Sequence, residues 1–514
     1  MKVQCICLLL WMATSTGRTH EWFVSTNGSP SGNGSITNAW DLKTAFANTN
    51  AQSGDTVWLR NGTYTPSTAS TNQWWSGYLN YYPGWYASSG GVGTNRVTYR
   101  SYTNEWAAID GRVMMADSIC FRNLEFFNSM KGIRYNTNDL SQNGDFNAVY
   151  AHFVQNGTNN QWINCLIHDI DDGGFGGGHG ANTVRGCLLW YIGWNYREHV
   201  FYPMVSEFSG SICAWPLNRT VNNTVADYIC NSNIIFGSGL QWQSGGPNGN
   251  GNVGESDTDI NTGGNRGAVI GNVCISSVES FNGSVSPGSV ISNNIFCAAQ
   301  TPVNWGASSN AVFSYNTLYD NDYHGIVLTW GGSTPLAVDC NNYYATPNAI
   351  AHGDSVCFIN LANQLGVSLG SWQTNYGFDL HSTTNLSAPP DSIRIMPNAD
   401  QPKRCNIAVC NWSLKDNVNV NLSAVLNTGD TYQLYSAQNI LAGPIQTGTY
   451  NGTSISIPMT NLTTAPILYG TNVNRWGEVV AQPPPMSPQF GAFVVIGSTH
   501  APLPPNKFRV LSPP

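Results

Sequence analysis

The densest group of side chains that could do chemistry lies between residues 168 and 180. His168, Asp169, Asp171 and Asp172 precede a run of glycines that ends at His179. A glycosidase needs two carboxyl groups beside the scissile bond, one of them held protonated. We therefore expect a catalytic group in which the aspartates act as acid and base, His179 positions them and His168 is a further catalytic residue. The alternative is a polar corner, because tight turns favour Asp and Gly.

A second group consists of aromatic residues crowded into one segment. Trp74, Trp75, Tyr78, Tyr82 and Trp85 lie within twelve positions of each other, among Gly, Ser and Asn. Aromatic faces with polar tips are suited to stacking on sugar rings, so these residues predict a substrate-binding loop. The alternative is a loop that folds onto the body of the protein and buries its aromatic rings.

Two pairs of basic or titratable residues are weaker candidates. Arg197 and His199 follow the acidic group by about one repeat and would supply a cation or a base to a bound substrate; an ordinary solvated loop is the alternative. Lys131 and Arg134 would suit a lyase that abstracts a proton next to a uronate carboxylate.

A run of oxygen-bearing side chains predicts a calcium site. Glu255, Asp257, Asp259 and Asn261 alternate along the chain and could wrap around the ion. They lack the glycine and the final glutamate of an EF-hand loop, and a hydrogen-bonded loop without metal is the alternative. Calcium is the one cofactor that the sequence suggests.

A repeat organises the elements that must position these groups. Asn272, Asn294 and Asn316 each follow an apolar pair and open another short apolar run, at an interval of 22 residues. The same frame occurs near residues 165 and 187. A fixed period with β-branched units too short for helix pairs predicts the coils of a parallel β-helix. Cys165 and Cys187 lie one coil apart, as do Cys274 and Cys297 to within a residue, and we expect these cysteines to point inward.

The pattern changes at both ends of this repeat. Trp40 to Asn48 has helical spacing, and Thr56 to Leu59 has the pattern of a strand. After about residue 390, strands follow at irregular spacing with turn signals, which predicts a small β-sandwich. The predicted organisation is a leader at 1–17, an N-terminal cap and first coil at 18–67, a parallel β-helix at 68–388 with loop insertions at 72–91 and 239–266, a β-sandwich at 389–498 and a Pro-rich tail at 499–514.

Composition limits the classes of partner. Charged residues make up 10% of the 514-residue chain and the net charge is −8. Nucleic acid requires a basic surface, so we expect no nucleic-acid partner. No apolar segment is long enough to span a membrane, and Lys2 followed by an apolar run resembles a secretory signal. We therefore expect an extracellular protein, with self-association through its ends as an open alternative.

Asn-X-Ser/Thr sequons and eleven cysteines remain after the leader. An odd number of cysteines does not predict a complete disulfide framework, although Cys405 and Cys410 are close enough in sequence to pair across a bulge. In an exported chain the sequons predict N-glycosylation sites. They are Asn27, Asn33, Asn61, Asn156, Asn218, Asn222, Asn282, Asn385, Asn411, Asn421, Asn451 and Asn461.

Several segments of the chain resemble secreted right-handed parallel β-helix proteins of the pectate-lyase-like superfamily. The resemblance is carried by residues 54–64, 99–102, 108–111, 121–126, 164–172 and 190–194, and by 429–432, 448–450, 457–459 and 490–495 for an appended β-sandwich. It implies an all-β fold: a right-handed parallel β-helix with an N-terminal cap, followed by the small sandwich. Gly178-His179-Gly180 and the Asp171–Asp172 pair are similar in kind to the polygalacturonase-like branch of that superfamily.

These observations predict a secreted carbohydrate-active protein, and a glycoside hydrolase acting on a neutral or weakly acidic polysaccharide is the leading interpretation. A non-catalytic, glycan-binding, adhesive or filament-forming rod is the first alternative, because low charge and aromatic loops fit both. A calcium-dependent polysaccharide lyase is the second. The superfamily contains all these activities, so the fold alone does not choose between them.

Overall fold

The computed structural model describes residues 19–66, 84–88, 90–103, 105–127, 159–170, 182–192, 212–213, 227–236, 258–261, 266–284, 288–306, 310–320, 326–328, 337–345, 358–360, 365–398, 401–465 and 485–498. The predicted leader at 1–17 and the Pro-rich tail at 499–514 lie outside these residues. Within them the chain is almost entirely β-structure, with two short α-helices, α1 (Leu42–Ala47) and α2 (Leu369–Tyr376), and a 3₁₀ turn at Ala437–Ala442.

The strands follow one another along the chain in three groups. The first group is β1 (Glu21–Val24), β2 (Thr56–Leu59), β3 (Gly62–Tyr64), β4 (Gly84–Ala87), β5 (Val97–Ser101), β6 (Ala107–Asp110), β7 (Arg112–Met115), β8 (Ile119–Arg122), β9 (Glu125–Phe127), β10 (Gln161–Ile163), β11 (Leu166–Ile170), β12 (Thr183–Arg185), β13 (Leu188–Ile192) and β14 (Ile212–Cys213). The second is β15 (Asp227–Asn231), β16 (Ile234–Phe236), β17 (Thr258–Asn261), β18 (Arg266–Ile270), β19 (Val273–Ser284), β20 (Val290–Ser292), β21 (Ile295–Gly306), β22 (Val312–Ser314), β23 (Thr317–Asp320), β24 (Ile326–Leu328), β25 (Ala337–Asp339), β26 (Asn342–Ala345), β27 (Phe358–Asn360), β28 (Leu365–Val367) and β29 (Thr383–Asn385). The third is β30 (Ser392–Pro397), β31 (Arg404–Cys410), β32 (Asn417–Val420), β33 (Thr431–Ser436), β34 (Gln446–Thr449), β35 (Ile455–Pro458) and β36 (Phe490–Ser498).

Two long sheets form the body of the protein. The first is parallel throughout, in the order β1-β2-β5-β8-β10-β12-β15-β18-β20-β22-β25, and the second runs beside it through β3, β6, β9, β11, β13, β16, β19 and β21. Successive coils pair residues 22 apart, such as Ile291 with Phe313. The first half of β19 pairs with β16 and its second half with β17. In the same way, the first half of β21 pairs with β23 and its second half with β24. The all-β, parallel β-helix-like fold is thus confirmed.

The core lies between the two sheets and is filled by alternate residues of neighbouring strands. Val269, Ile291, Phe313 and Val338 stack from coil to coil at 0–3% exposure. Burying a side chain of this size contributes roughly 1.5–3 kcal/mol relative to leaving it in water. Because each coil repeats the same inward positions, the apolar spacing of the sequence specifies the register of the whole stack.

A buried ladder of asparagine side chains joins the coils at the turn between the two sheets. It runs through Asn233, Asn272, Asn294, Asn316 and Asn341, all with no solvent exposure. From Asn272 onward, each Oδ1 accepts from the backbone N–H and the Nδ2 of the preceding asparagine, at 2.9–3.2 Å. The amides thereby satisfy backbone groups that the turn leaves without strand partners. This explains why the 22-residue period was marked by asparagine.

Cysteines take the place of asparagine in two earlier coils. Cys165 and Cys187 are fully buried in the core, and the Cys165 backbone N–H points at the Cys187 Sγ at 3.4 Å. The expectation that these two point inward is confirmed. The matching expectation for Cys274 and Cys297 was half wrong. Cys274 faces the core between the sheets, but Cys297 pairs with Ile275 and shares its outward-facing cluster.

Helix α1 and strand β2 form near the N-terminal end of the described chain. Helix α1 begins after Asp41, whose carboxylate accepts from the Thr44 backbone N–H at 2.6 Å, and it buries Phe46 against the first coils. Strand β2 forms at the predicted position. Covering this end blocks edge-to-edge pairing of exposed strands. Part of each predicted loop insertion is strand: β4 pairs with β7, and β17 pairs with β14 and β19.

The C-terminal unit contains antiparallel sheets, with strands where the irregular pattern predicted them. One sheet has the order β30-β31-β36-β33-β34, and β32 pairs with β35 in a second. Both sheets contribute to a common core that includes Ile407, Val420 and Ile457. The proposed pairing of Cys405 with Cys410 is wrong. Both are free thiols on the same strand, and they belong to clusters on its opposite faces.

This unit packs against the outward face of the second long sheet. An apolar cluster joins Leu188 and Ile234 of the two-sheet body, hereafter the rod, to Ala408 and Val494 of the C-terminal unit. Polar contacts surround it, such as the bond from Asn406 Nδ2 to the Gly186 carbonyl at 3.0 Å. The described part of the chain contains no helix that is long and apolar enough to cross a membrane.

Candidate functional site

The predicted catalytic segment begins on strand β11 and continues beyond the described residues. The backbone of Asp169 lies in β11, in parallel register between β9 and β13. The following predicted residues, Asp171, Asp172 and His179, lie outside the described part of the chain. The structure therefore places the start of the acidic segment at the end of a strand in the second long sheet.

His168 is the member of this group whose side chain the structure describes, and this side chain is buried. Its Nε2 lies 2.9 Å from Glu125 Oε1, and the two side chains are 2% and 4% exposed. The other carboxylate oxygen of Glu125 accepts from Trp106 Nε1 at 2.5 Å. The His168 ring is stacked between Phe127 at 5.7 Å and Trp190 at 4.3 Å, so aromatic rings from three successive coils form one column.

This geometry excludes a catalytic role for His168 and assigns it a positioning role. A substrate has no access to an imidazole enclosed by two rings and a paired carboxylate. The contact with Glu125 instead fixes the register of β11 against β9, directly before Asp169. Breaking a buried pair of this kind costs about 3–5 kcal/mol when one partner remains unpaired. The prediction of His168 as a catalytic residue was wrong because aromatic rings of the coils on either side cover it.

Trp85 was also misassigned. It lies in β4 at 9% exposure, donates from Nε1 to the Asp110 carbonyl at 2.8 Å and packs edge-on against Phe46. This contact leaves no exposed ring face on which a sugar could stack. The alternative interpretation, an aromatic residue folded onto the rod, holds for Trp85. Its neighbours Trp74, Trp75, Tyr78 and Tyr82 lie outside the described residues.

The remaining predicted ligands fall largely beyond the described ranges. Asp259 and Asn261 belong to β17, so their backbone is part of a paired strand and not of the expected loop. The others outside the described part of the chain are Lys131, Arg134, Arg197, His199, Glu255 and Asp257.

The sequons divide by accessibility. One of them, Asn411, is fully buried, and its Nδ2 donates to the Lys415 and Pro488 carbonyls, so the folded protein offers no nitrogen there for a glycan. Asn282 lies in β19, and Asn156, Asn218 and Asn222 lie outside the described residues. The exposed ones are Asn27, Asn33, Asn61, Asn385, Asn421, Asn451 and Asn461.

A cleft of about 280 Å³ lies where the C-terminal unit meets the outward face of the second long sheet. Its volume is close to the lower end of the roughly 300–1,000 Å³ typical of small-molecule sites. Aromatic, amide, hydroxyl and guanidinium groups surround it. The lining residues are Ile295, Cys297, Thr317, Asn342, Tyr344, Pro389, Pro390, Ser392, Ile393, Arg394, Cys410 and Trp412.

Two of these side chains are held firmly in place. Trp412 makes edge-on contacts with Tyr319 at 4.5 Å and Phe490 at 4.8 Å, which fix its ring between the rod and the C-terminal unit. Arg394 donates from Nη1 to the Asn293 carbonyl at 2.6 Å and to the Asn272 carbonyl at 3.3 Å. Burial lowers the pKa of Arg394 from its ordinary value. The cleft is therefore built across two parts of the chain before any ligand binds.

Asp391 carries a carboxylate next to the cleft, because it lies in sequence between the lining residues Pro390 and Ser392. Partial burial acts to raise the pKa of Asp391, but hydrogen bonds from Lys415 and Ser413 outweigh it and hold the pKa at about 2. Lys415 Nζ lies 2.8 Å from its Oδ2. This carboxylate is thus ionised and occupied at neutral pH, and it stabilises the turn that follows β31.

Sequence reasoning missed both the Glu125–His168 pair and the cleft. Glu125 and His168 are 43 residues apart, and only the pairing of Leu166 with Glu125 brings them together. The sequence did contain a signal for the pair, because Glu125 and His168 are each a titratable residue within an otherwise largely apolar strand. The cleft joins Tyr344 to Trp412, which no local pattern connects.

Comparison with known proteins finds no matching family model and no matching curated protein. Among solved structures, the chain is similar to a rhamnogalacturonan lyase with a TM-score of 0.31 and 9% identity, over 64% of this chain and 74% of that one. It is similar to a mannuronic-acid-specific family 6 polysaccharide lyase from human gut microbiota with a TM-score of 0.37 and 13% identity, over 72% and 91%. It is also similar to the GH136 lacto-N-biosidase from Eubacterium ramulus with a TM-score of 0.36 and 10% identity, over 71% and 68%.

Proposed function

We propose that the protein is a secreted carbohydrate-active enzyme, a glycoside hydrolase acting on a neutral or weakly acidic polysaccharide. The observation that carries this proposal is the cleft on the side of the rod, where Tyr344 and Trp412 accompany amide and hydroxyl side chains. Sugars present apolar ring faces and hydroxyl edges, and such a lining matches both. The net charge of −8 favours a neutral polymer over a strongly anionic one.

In this proposal the chemistry takes place at the acidic segment that begins on β11. Asp169, Asp171 and Asp172 provide the acid and the base or nucleophile, and His179 positions them. One carboxyl group protonates the leaving oxygen while the second attacks the sugar or activates water. The buried Glu125–His168 pair supports this arrangement by fixing the strand that leads into it.

The binding residues of the proposal extend beyond the cleft. The aromatic segment contributes Trp74, Trp75, Tyr78 and Tyr82 to flanking sugars, and Arg197 and His199 contact the substrate near the acidic segment. Calcium, if the enzyme uses it, is held by Glu255, Asp257, Asp259 and Asn261. Export, N-glycans at exposed sequons, a right-handed coil and a β-sandwich at the C-terminus belong to the same proposal.

A non-catalytic glycan-binding rod is the second candidate function. The observation that favours it is that the described lining of the cleft contains no carboxylate or imidazole, so the cleft by itself binds without reacting. A pure binding protein would use the cleft and need no chemistry at residues 169–179. Both functions therefore predict that the cleft binds oligosaccharides, and only the enzymatic function predicts that the protein cleaves them.

The test separates the cleft from the acidic segment. Tyr344→Leu keeps an apolar side chain but removes the ring. We expect oligosaccharide binding by calorimetry to weaken roughly 2- to 13-fold, as for the loss of one stacked ring worth about 0.5–1.5 kcal/mol. Tyr376→Leu, on helix α2 and outside the cleft, is the matched control. Asp171→Asn should abolish turnover without changing that affinity. Equal affinity of the Tyr344 and Tyr376 variants would reject the cleft as the binding site.

A further inference from the structure

The turn after strand β25 carries a cysteine at a position that other residue types occupy in the equivalent turns of the other coils. One residue per turn adopts the left-handed conformation, with φ between 53° and 70°. The residues at this position are Asn123, Asn164, Gly186, Ser232, Gly271, Asn293, Tyr315 and Cys340. Gly and Asn suit this conformation, whereas other residues are strained there by roughly 1–2 kcal/mol. In the last of these turns the strained position holds a partly exposed thiol.

The thiol has a carboxylate and an imidazole beside it. Asp339 ends β25, and His381 comes from the turn that precedes β29. The Asp339 Oδ2 lies 2.7 Å from His381 Nδ1. One ligand atom from each of Asp339, Cys340 and His381 lies within 4.8 Å of the other two. Tyr315, exposed and one coil earlier, is hydrogen-bonded to the Cys340 side chain.

The carboxylate is already held in a ligand-like orientation. Its Oδ1 accepts from the Cys340 backbone N–H at 2.8 Å and from the His381 backbone N–H at 2.7 Å. Partial burial acts to raise the pKa of Asp339, but the bonds from His381 and the backbone outweigh it and lower the pKa. Supporting hydrogen bonds to one oxygen are typical of metal-binding carboxylates, and the second oxygen, which is paired with His381 Nδ1, is the one that would face the ion.

We propose that Asp339, Cys340 and His381 form a zinc site, with water or the Tyr315 hydroxyl as the fourth ligand. Thiolate, imidazole and carboxylate are the donor set of Zn²⁺ in proteins, and a hard ion such as calcium does not take sulfur. Tetrahedral Zn²⁺, with bonds of about 2.0–2.3 Å, places its ligand atoms roughly 3.3–3.6 Å apart. The carboxylate and the imidazole must separate by about half an ångström to accept the ion, and His381 is 75% exposed and has the freedom to move.

Binding would link the last coil to the segment that follows it. Asp339 and Cys340 belong to the end of the rod, and His381 belongs to the turn that leads into β29 and the C-terminal unit. The Cys340 thiol releases its proton to solvent when it binds the ion. The site is separate from the proposed sugar cleft, because none of its three ligands lines that cleft.

The test uses Zn²⁺ and Co²⁺ on the purified full chain, with Cys340→Ser and His381→Gln as variants. His20→Gln is the control, because His20 is an exposed histidine beside Asp55 without a cysteine. We expect the wild type and the control to bind one more Zn²⁺ than either variant, and their Co²⁺ forms to show thiolate-to-cobalt absorption that the Cys340 variant lacks. Zn²⁺ should also slow alkylation of Cys340 in peptide mapping. Equal stoichiometry in all four proteins, or cobalt–thiolate absorption that persists in the Cys340 variant, would overturn the proposal.

Discussion

Asn294 is the best position at which to test how the coils are held together. It sits in the middle of the buried asparagine ladder at 0% exposure. Its Oδ1 accepts from the backbone N–H of Asn272 at 2.9 Å and from the Asn272 Nδ2 at 3.1 Å. Its own Nδ2 donates to the Val269 carbonyl at 2.9 Å and to Asn316 Oδ1 at 3.0 Å. The substitution Asn294→Ala removes all four of these bonds.

The expected loss of stability follows from the groups that remain behind. Two donors of Asn272 lose this acceptor in a region that water does not reach. A buried donor without a partner costs about 1–3 kcal/mol, and small shifts of the turn recover part of this. We therefore expect Asn294→Ala to lower the free energy of unfolding by about 2–4 kcal/mol. Asn419→Ala, at an exposed position of β32, should cost less than about 0.5 kcal/mol.

The assay is urea unfolding followed by circular dichroism and tryptophan fluorescence. A third variant, Asn294→Asp, distinguishes hydrogen bonding from simple loss of volume. It keeps the acceptor for Asn272 but turns its second oxygen towards two acceptors, Val269 O and Asn316 Oδ1. Burial and this contact raise the carboxyl pKa, so its deficit should be largest at neutral pH and shrink as the carboxyl group is protonated in acid. A loss below about 1 kcal/mol for the alanine variant would refute the ladder as a stabilising element.

Three further predictions concern titratable groups. Asp391→Asn should destabilise the protein near pH 6, and the difference from wild type should fade between about pH 4 and 2. The reason is that the carboxyl pKa is depressed to about 2 in the folded protein, so the stability that the carboxylate confers is lost as it is protonated. Unfolding midpoints measured across this pH range test the prediction. Burial raises the pKa of Cys405 to about 12 and of Cys410 to about 11, so neither thiol should be alkylated at pH 8 before denaturation, as peptide mapping will show. His168→Ala should cost about 3–5 kcal/mol by leaving Glu125 buried without its partner, and His168→Gln, which retains a donor, should cost less; equal losses in urea unfolding would contradict the pairing.

Much of the fold followed from local patterns in the sequence. The 22-residue spacing of Asn272, Asn294 and Asn316 predicted the parallel coils because each ladder position recurs once per turn. The cap helix was predictable from Leu42, Ala45 and Phe46, which are the residues it buries. The C-terminal strands were visible because antiparallel strands between turn residues alternate in polarity.

The candidate site was less predictable because its contacts cross the chain. His168 looked catalytic from its acidic neighbours, but the coils on either side enclose it with Phe127 and Trp190. Trp85 looked exposed from its Gly-rich surroundings, but β4 pairs with β7 and turns the ring inward. Asn411 matches a sequon, yet the sequon says nothing of the tertiary carbonyls that bury its amide.

The proposed function is best tested by product release from a panel of neutral and uronic polysaccharides, measured by mass spectrometry with and without a chelator. Hydrolysis predicts saturated oligosaccharides and loss of product in Asp171→Asn. Unsaturated, chelator-sensitive products would contradict hydrolysis and favour the lyase alternative. No product from any polymer, with the protein folded and still binding oligosaccharides, would contradict the enzymatic function and leave the glycan-binding rod.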